Sequence, residues 1–142
     1  MNNGVKILVI DDDRDLVETI RIFLQSKGYQ VTTAYDTVQG LAKVRADRPD
    51  LILLDVMMPE GTEGFHFVWN LRREQDESLR NTPILVLTAI HEKTALRFYP
   101  DSSDGTYQAG EYLPVQDFME KPVDPIQLIE RIHKVLAVLH KE

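Results

Sequence analysis

Three consecutive carboxylates, Asp11, Asp12 and Asp13, follow the apolar run "ILVI" (7–10), and Asp15 comes one residue later. Like charges this close repel, and partial burial beside a strand raises the cost. A helix starting here would welcome one or two acids at its N-terminus. Three or four point to a cation. A further carboxylate, Asp55, comes directly after "LILL" (51–54) and before "VMMP", where it is half-buried and needs a partner. Thr88 closes the run "PILVLT", and Lys121 follows "DFME". Clustered carboxylates suit a hard divalent ion such as Mg²⁺, which keeps several waters and favours phosphate partners. A lysine and a threonine hydroxyl nearby offer donors for phosphoryl oxygens. One carboxylate could then act as nucleophile and form an acyl phosphate.

Taken singly, each of these residues has a plainer explanation. Asp12 or Asp13 would serve as a helix cap, Thr88 as an ordinary strand threonine, and Lys121 as a solvated surface lysine. The case rests on where the chain puts them together. Lys6 to Ile10 is a short β-rich run, and Leu16, Ile20, Phe23 and Leu24 then repeat at helical spacing up to Gly28, a natural helix stop. "YQVTTAY" reads as a β-branched strand. Val38, Leu41, Ala42 and Val44 mark a second helix, closed by "ADRPD" with Pro49 as breaker. "LILL" is a continuous apolar strand of the kind buried on both faces. A Pro- and Gly-rich loop leads to a helix with Phe65, Val68, Trp69 and Leu71, and then to the buried strand ending at Thr88. "DFME" is a short fifth strand, and Pro125 opens a last helix carrying Ile129, Ile132, Val135, Leu136 and Leu139.

Strands alternating with helices imply a parallel sheet covered on both faces, an α/β doubly wound fold. Ligands in such sheets sit beyond the C-terminal strand ends, where the strand order reverses. In the flavodoxin-like order 2-1-3-4-5 the second strand lies at the edge. The four other strands then deliver Asp11 and Asp12, Asp55, Thr88 and Lys121 to one rim.

The totals set bounds. With 142 residues, the chain has the usual size of a single domain with a real core. A formal net charge of −7 argues against general binding to nucleic acid or an anionic membrane. Without cysteine there is no disulfide or thiolate chemistry, and a reducing compartment fits. "MNNGVK" has no apolar signal core and no run approaches membrane-spanning length, so a cytoplasmic protein is expected.

"ILVIDDD", "DLILLDVMMP", "ILVLTA" and "EKP" occur in an order that resembles the receiver domain of two-component response regulators, over nearly the whole chain. The resemblance implies that Asp55 is the phosphoacceptor and that Asp12 and Asp55 bind Mg²⁺ directly. The backbone carbonyl of Met57 would complete the protein ligands, with Asp11 acting mainly through water. Thr88 and Lys121 would contact the phosphoryl group, and Phe118 would be the switch aromatic whose rotamer follows Thr88. The Lys121–Pro122 bond would be cis, and Asp13 would be a solvated or capping acid. The implied donor is a sensor histidine kinase or phosphotransfer protein, the implied output a change in partner binding. Such a domain assists its own phosphorylation and dephosphorylation without being an enzyme in the usual sense.

Two departures from the family pattern stand out. Gly64 lies nine positions after Asp55, one later than is common, and Thr88 and Lys121 are 33 positions apart. One helix, two short loops and a strand need only about 22. The helix expected between the fourth and fifth strands is therefore shortened or replaced by a long loop. The last helix runs to about His140, so a stand-alone receiver over residues 1–142, without an output domain, is expected. Three rival functions compete with this reading. A degenerate receiver would bind partners without phosphorylation, although the intact acid, Thr and Lys set speaks against it. A phosphatase of the haloacid dehalogenase type would need Thr or Val where Asp15 stands. A nucleotide-binding module would need a glycine-rich phosphate loop, and neither GxGxxG nor a Walker motif occurs.

Overall fold

The computed structural model describes residues 4–55, 63–88 and 115–139. In chain order the elements are β1 (Lys6–Ile10), α1 (Arg14–Ser26), β2 (Gln30–Ala34), α2 (Thr37–Asp47), β3 (Leu51–Asp55), α3 (Glu63–Arg72), α4 (Glu77–Arg80), β4 (Ile84–Thr88), β5 (Asp117–Glu120) and α5 (Pro125–Leu139). The strands form one parallel sheet in the order β2-β1-β3-β4-β5. This is the expected doubly wound, flavodoxin-like architecture. The expectation of a shortened helix before β5 falls on residues 89–114, outside the described ones.

The inner strands β1, β3 and β4 are apolar at successive positions because both faces are covered. On one face Leu8, Ile10, Ile52, Leu54, Ile84 and Val86 pack against Val44 of α2, Phe67, Val68 and Leu71 of α3, and Leu79 of α4. On the other, Ile7, Val9, Leu53, Leu85 and Leu87 meet Val17, Ile20 and Leu24 of α1, and Leu128, Ile132 and Val135 of α5. The period-2 alternation of a strand thus sorts neighbouring residues into two separate cores. Tyr29 belongs to the second core, and its buried hydroxyl has no hydrogen-bond partner.

Local chemistry sets the helix ends. The Asp13 carboxylate accepts from the Leu16 N–H at 3.1 Å and so caps α1, which stops before Gly28 at φ 95°. Asp36 accepts from the Gln39 N–H at 2.8 Å, while the Gln39 side chain accepts from the Tyr35 N–H at 3.1 Å, a near-reciprocal cap on α2. Within α2, Gly40 lies so close to β1 that a Cβ there would come within 2.6 Å of Ile10 Cδ1. Sequence reading did not foresee α4. Asp76 caps it, and its four residues are too few to show any periodicity. Among the described residues no helix is long and apolar enough to cross a membrane.

Candidate functional site

β1, β3 and β5 bring their C-terminal ends to one rim. Asp11 follows β1 directly and is fully buried; its N–H donates to the Ala34 carbonyl at 3.2 Å, and its Oδ1 accepts from the Asp13 N–H at 3.0 Å. That second bond turns the chain from strand into helix while holding the carboxylate still. Asp55 is the last residue of β3 and only 4% exposed. Asp12, between two anchored neighbours, is exposed. Ligand atoms of Asp11, Asp12 and Asp55 all lie within 4.8 Å of one another.

Lys121, just beyond β5, supplies the opposite charge. Its Nζ stands 2.9 Å from Asp11 Oδ2 and 3.3 Å from Asp55 Oδ2. The approach to Asp11 is an ion pair off hydrogen-bond geometry, and Oδ2 otherwise has no donor. Burial pushes the Asp11 carboxyl up to about 6, against the opposing effects of the Asp13 N–H and Lys121; the nearby Asp55 adds to the rise. Burial alone would lower the Lys121 ammonium, but Asp11 and Asp55 more than offset it and hold the group above its ordinary value. One ammonium is thus shared by two buried carboxylates. A buried carboxylate oxygen lacking a donor, within reach of two further carboxylates, fits a hard divalent cation such as Mg²⁺.

The other expected site residues are placed less fully. Thr88 ends β4 with its Cα in register with Glu120, the residue before Lys121. Met57 lies outside the described residues. Phe118 is in β5, 8% exposed, its side chain among the core residues that meet α2 and α3. The Lys121–Pro122 bond is cis, as expected, and Asp13 is a capping acid. Sequence reading missed the grip of the Asp13 N–H on Asp11 and the guanidinium of Arg14 lying 4.0 Å over the Tyr35 ring. Neither has a periodic signal: the first is a two-residue turn, and the second depends on how β1 and β2 come to lie side by side.

Comparison with known proteins agrees with this geometry. A family model described as the response regulator receiver domain matches residues 7–133. A response regulator named MprA from Mycobacterium tuberculosis is 36% identical over 133 residues, covering 94% of this chain and 51% of its own length. The chain therefore spans about half the length of the curated relatives it matches. Among solved structures, the chemotaxis protein CheY4 of Vibrio cholerae superposes with a TM-score of 0.74 at 31% identity, over 92% of this chain and 98% of its own. A putative response regulator from Chloroflexus aurantiacus gives 0.75 at 27% identity, over 94% and 98%.

Proposed function

Because this chain belongs to the response regulator receiver family, we propose that Asp55 accepts a phosphoryl group from a sensor histidine kinase or phosphotransfer protein, in a Mg²⁺-dependent reaction. One Asp55 carboxylate oxygen attacks phosphorus; the P–O bond forms as the P–N bond to the donor imidazole breaks, and the electron pair stays on that nitrogen. Asp12, Asp55 and the Met57 carbonyl would hold the Mg²⁺ directly and Asp11 mainly through water, and the ion would offset charge on the phosphoryl oxygens. Lys121 is already within ion-pair reach of the acceptor carboxylate, so it can follow that charge from ground state to product with little rearrangement. Thr88 contacts the phosphoryl group from the neighbouring strand, and Phe118 changes rotamer with it. Residues 1–142 act as one receiver unit, whose phosphorylated state changes which partner protein it binds.

The observation that carries this reading is Lys121 Nζ standing between Asp11 Oδ2 and Asp55 Oδ2. Intact-mass measurement after treatment with a small phosphodonor and Mg²⁺ tests it. One adduct is expected, absent without Mg²⁺ and absent in Asp55→Asn. Undiminished labelling of that variant would end the proposal.

A further inference from the structure

Among the described residues β5, four residues long, pairs only with β4, and yet it delivers Lys121. An edge strand this short has few ladder bonds to fix its position along the sheet. Two arginines hold it, one from each side. Arg72, at the end of α3, donates to the Arg80 carbonyl at 2.9 Å, the Thr82 carbonyl at 2.7 Å and Gln116 Oε1 at 3.3 Å. The same Gln116 oxygen accepts from the Ile84 N–H at 2.7 Å, which fixes where the chain enters β5. From α5, Arg131 Nη1 donates to the Phe118 carbonyl at 2.6 Å and to Asp117 Oδ1 at 3.2 Å. Asp117 Oδ1 also accepts from the Phe118 N–H at 2.8 Å, so guanidinium, carboxylate and the middle of the strand form one closed unit.

We propose that Arg131 is a positioning residue for Lys121. By holding the Phe118 carbonyl it sets how far β5 projects into the rim, and so where Nζ sits relative to Asp11 and Asp55. The contact is short and charge-assisted, and it grips backbone, so it constrains the strand whichever way the Phe118 ring points. This rests on the reading of Asp55 as phosphoacceptor, because what Lys121 has to meet is the phosphoryl group. Small misplacements of such a group are costly. The carboxylates, in contrast, are held by β1, β3 and the Asp13 N–H, and Arg131 touches none of them.

The test is beryllofluoride binding, with Mg²⁺ binding measured in parallel, for wild type, Arg131→Ala, Arg131→Lys, Asp117→Asn and Asp55→Asn. Beryllofluoride affinity should fall about tenfold in Arg131→Ala and about threefold in Arg131→Lys, which keeps the charge and one donor; Asp117→Asn, which keeps the acceptor oxygen, should stay within about twofold. Mg²⁺ affinity should stay within about twofold in the two Arg131 variants and in Asp117→Asn, because the carboxylates do not depend on this clamp. If Arg131→Ala binds beryllofluoride as wild type does, the inference is overturned. It is also overturned if Mg²⁺ and beryllofluoride affinity fall together, since that would mean a general loosening of the fold. A wild type that binds beryllofluoride no better than Asp55→Asn overturns the phosphoacceptor reading and this inference with it.

Discussion

At the N-terminal edge of the sheet, Arg48 pairs with Asp76 at 2.7 Å and donates to Ser78 at 2.7 Å, Arg45 pairs with Glu74 at 2.8 Å, and Asp50 accepts from the Lys6 N–H at 2.8 Å. The Arg48 guanidinium holds the Asp76 carboxyl well below the usual carboxylate range. At the C-terminal edge, two buried carboxylates share Lys121 beside an exposed third, Asp12, and Asp11 is pushed the other way. The first edge matches each of these charges locally, in water, where pairs are worth little. The second leaves a negative surplus where solvent cannot relieve it. A fold that only needed stability would treat both edges alike. The surplus at one of them marks where a ligand is expected to complete the charge balance.

The sharpest way to break this comparison is to remove the shared cation. Lys121→Met should destabilise the metal-free protein by about 3 kcal/mol at pH 8 and far less at pH 5, where the orphaned Asp11 carboxyl takes up a proton. Urea unfolding at the two pH values checks this; equal losses would mean that Lys121 is not balancing buried charge. Asp11→Asn attacks the surplus instead. The native carboxyl titrates near 6, above its ordinary 3.8. Between about pH 4 and pH 6 the native state therefore holds a proton that the unfolded chain has released, and stability falls as pH rises through that window. The variant should lose this slope and gain about 2 kcal/mol at pH 7.5 without metal, with no gain at pH 4.

Metal binding sharpens the contrast within one short stretch of chain. Asp12→Asn should weaken Mg²⁺ binding about tenfold or more, whereas Asp13→Asn should change it by no more than about twofold, because asparagine also caps a helix. Calorimetric titration separates them, and equal losses would place the ligand set one residue later. The smallest effect belongs to the opposite edge. Arg48→Ala removes a pair whose arginine side chain is 55% exposed, and should shift Tm by about 2 °C or less.

Much of this architecture was legible in the sequence, for identifiable reasons. Strands buried on both faces read as unbroken apolar runs, and Asp11 and Asp55 each stand next to one, while Lys121 follows the short strand "DFME", so topology carried them to the rim without any knowledge of tertiary contacts. Pro125 marked the start of α5 and Gly28 the end of α1, as backbone rules require. What stayed hidden depends on approach between distant segments. Gly40 looks like a weak helix residue until Ile10 is found against it. Arg72 and Arg131 look like surface charges until the edge strand between them is in place. The Asp13 N–H on Asp11 is a two-residue turn that no periodicity announces.

The strand order also bears on how the chain assembles. Among the described residues the sheet has no hairpin, and neighbouring strands are parallel, so each pairing closes a loop before it gains anything. β1 pairs with β2 on one side and with β3 on the other. As the chain is synthesised from its N-terminus, these three strands exist, with Asp11 and Asp55 at their ends, while Lys121 has yet to be made. The acids that the finished domain balances with its last strand therefore meet first with no balancing lysine, and until β5 docks, protons and ions from the surrounding solution must do the work of Lys121.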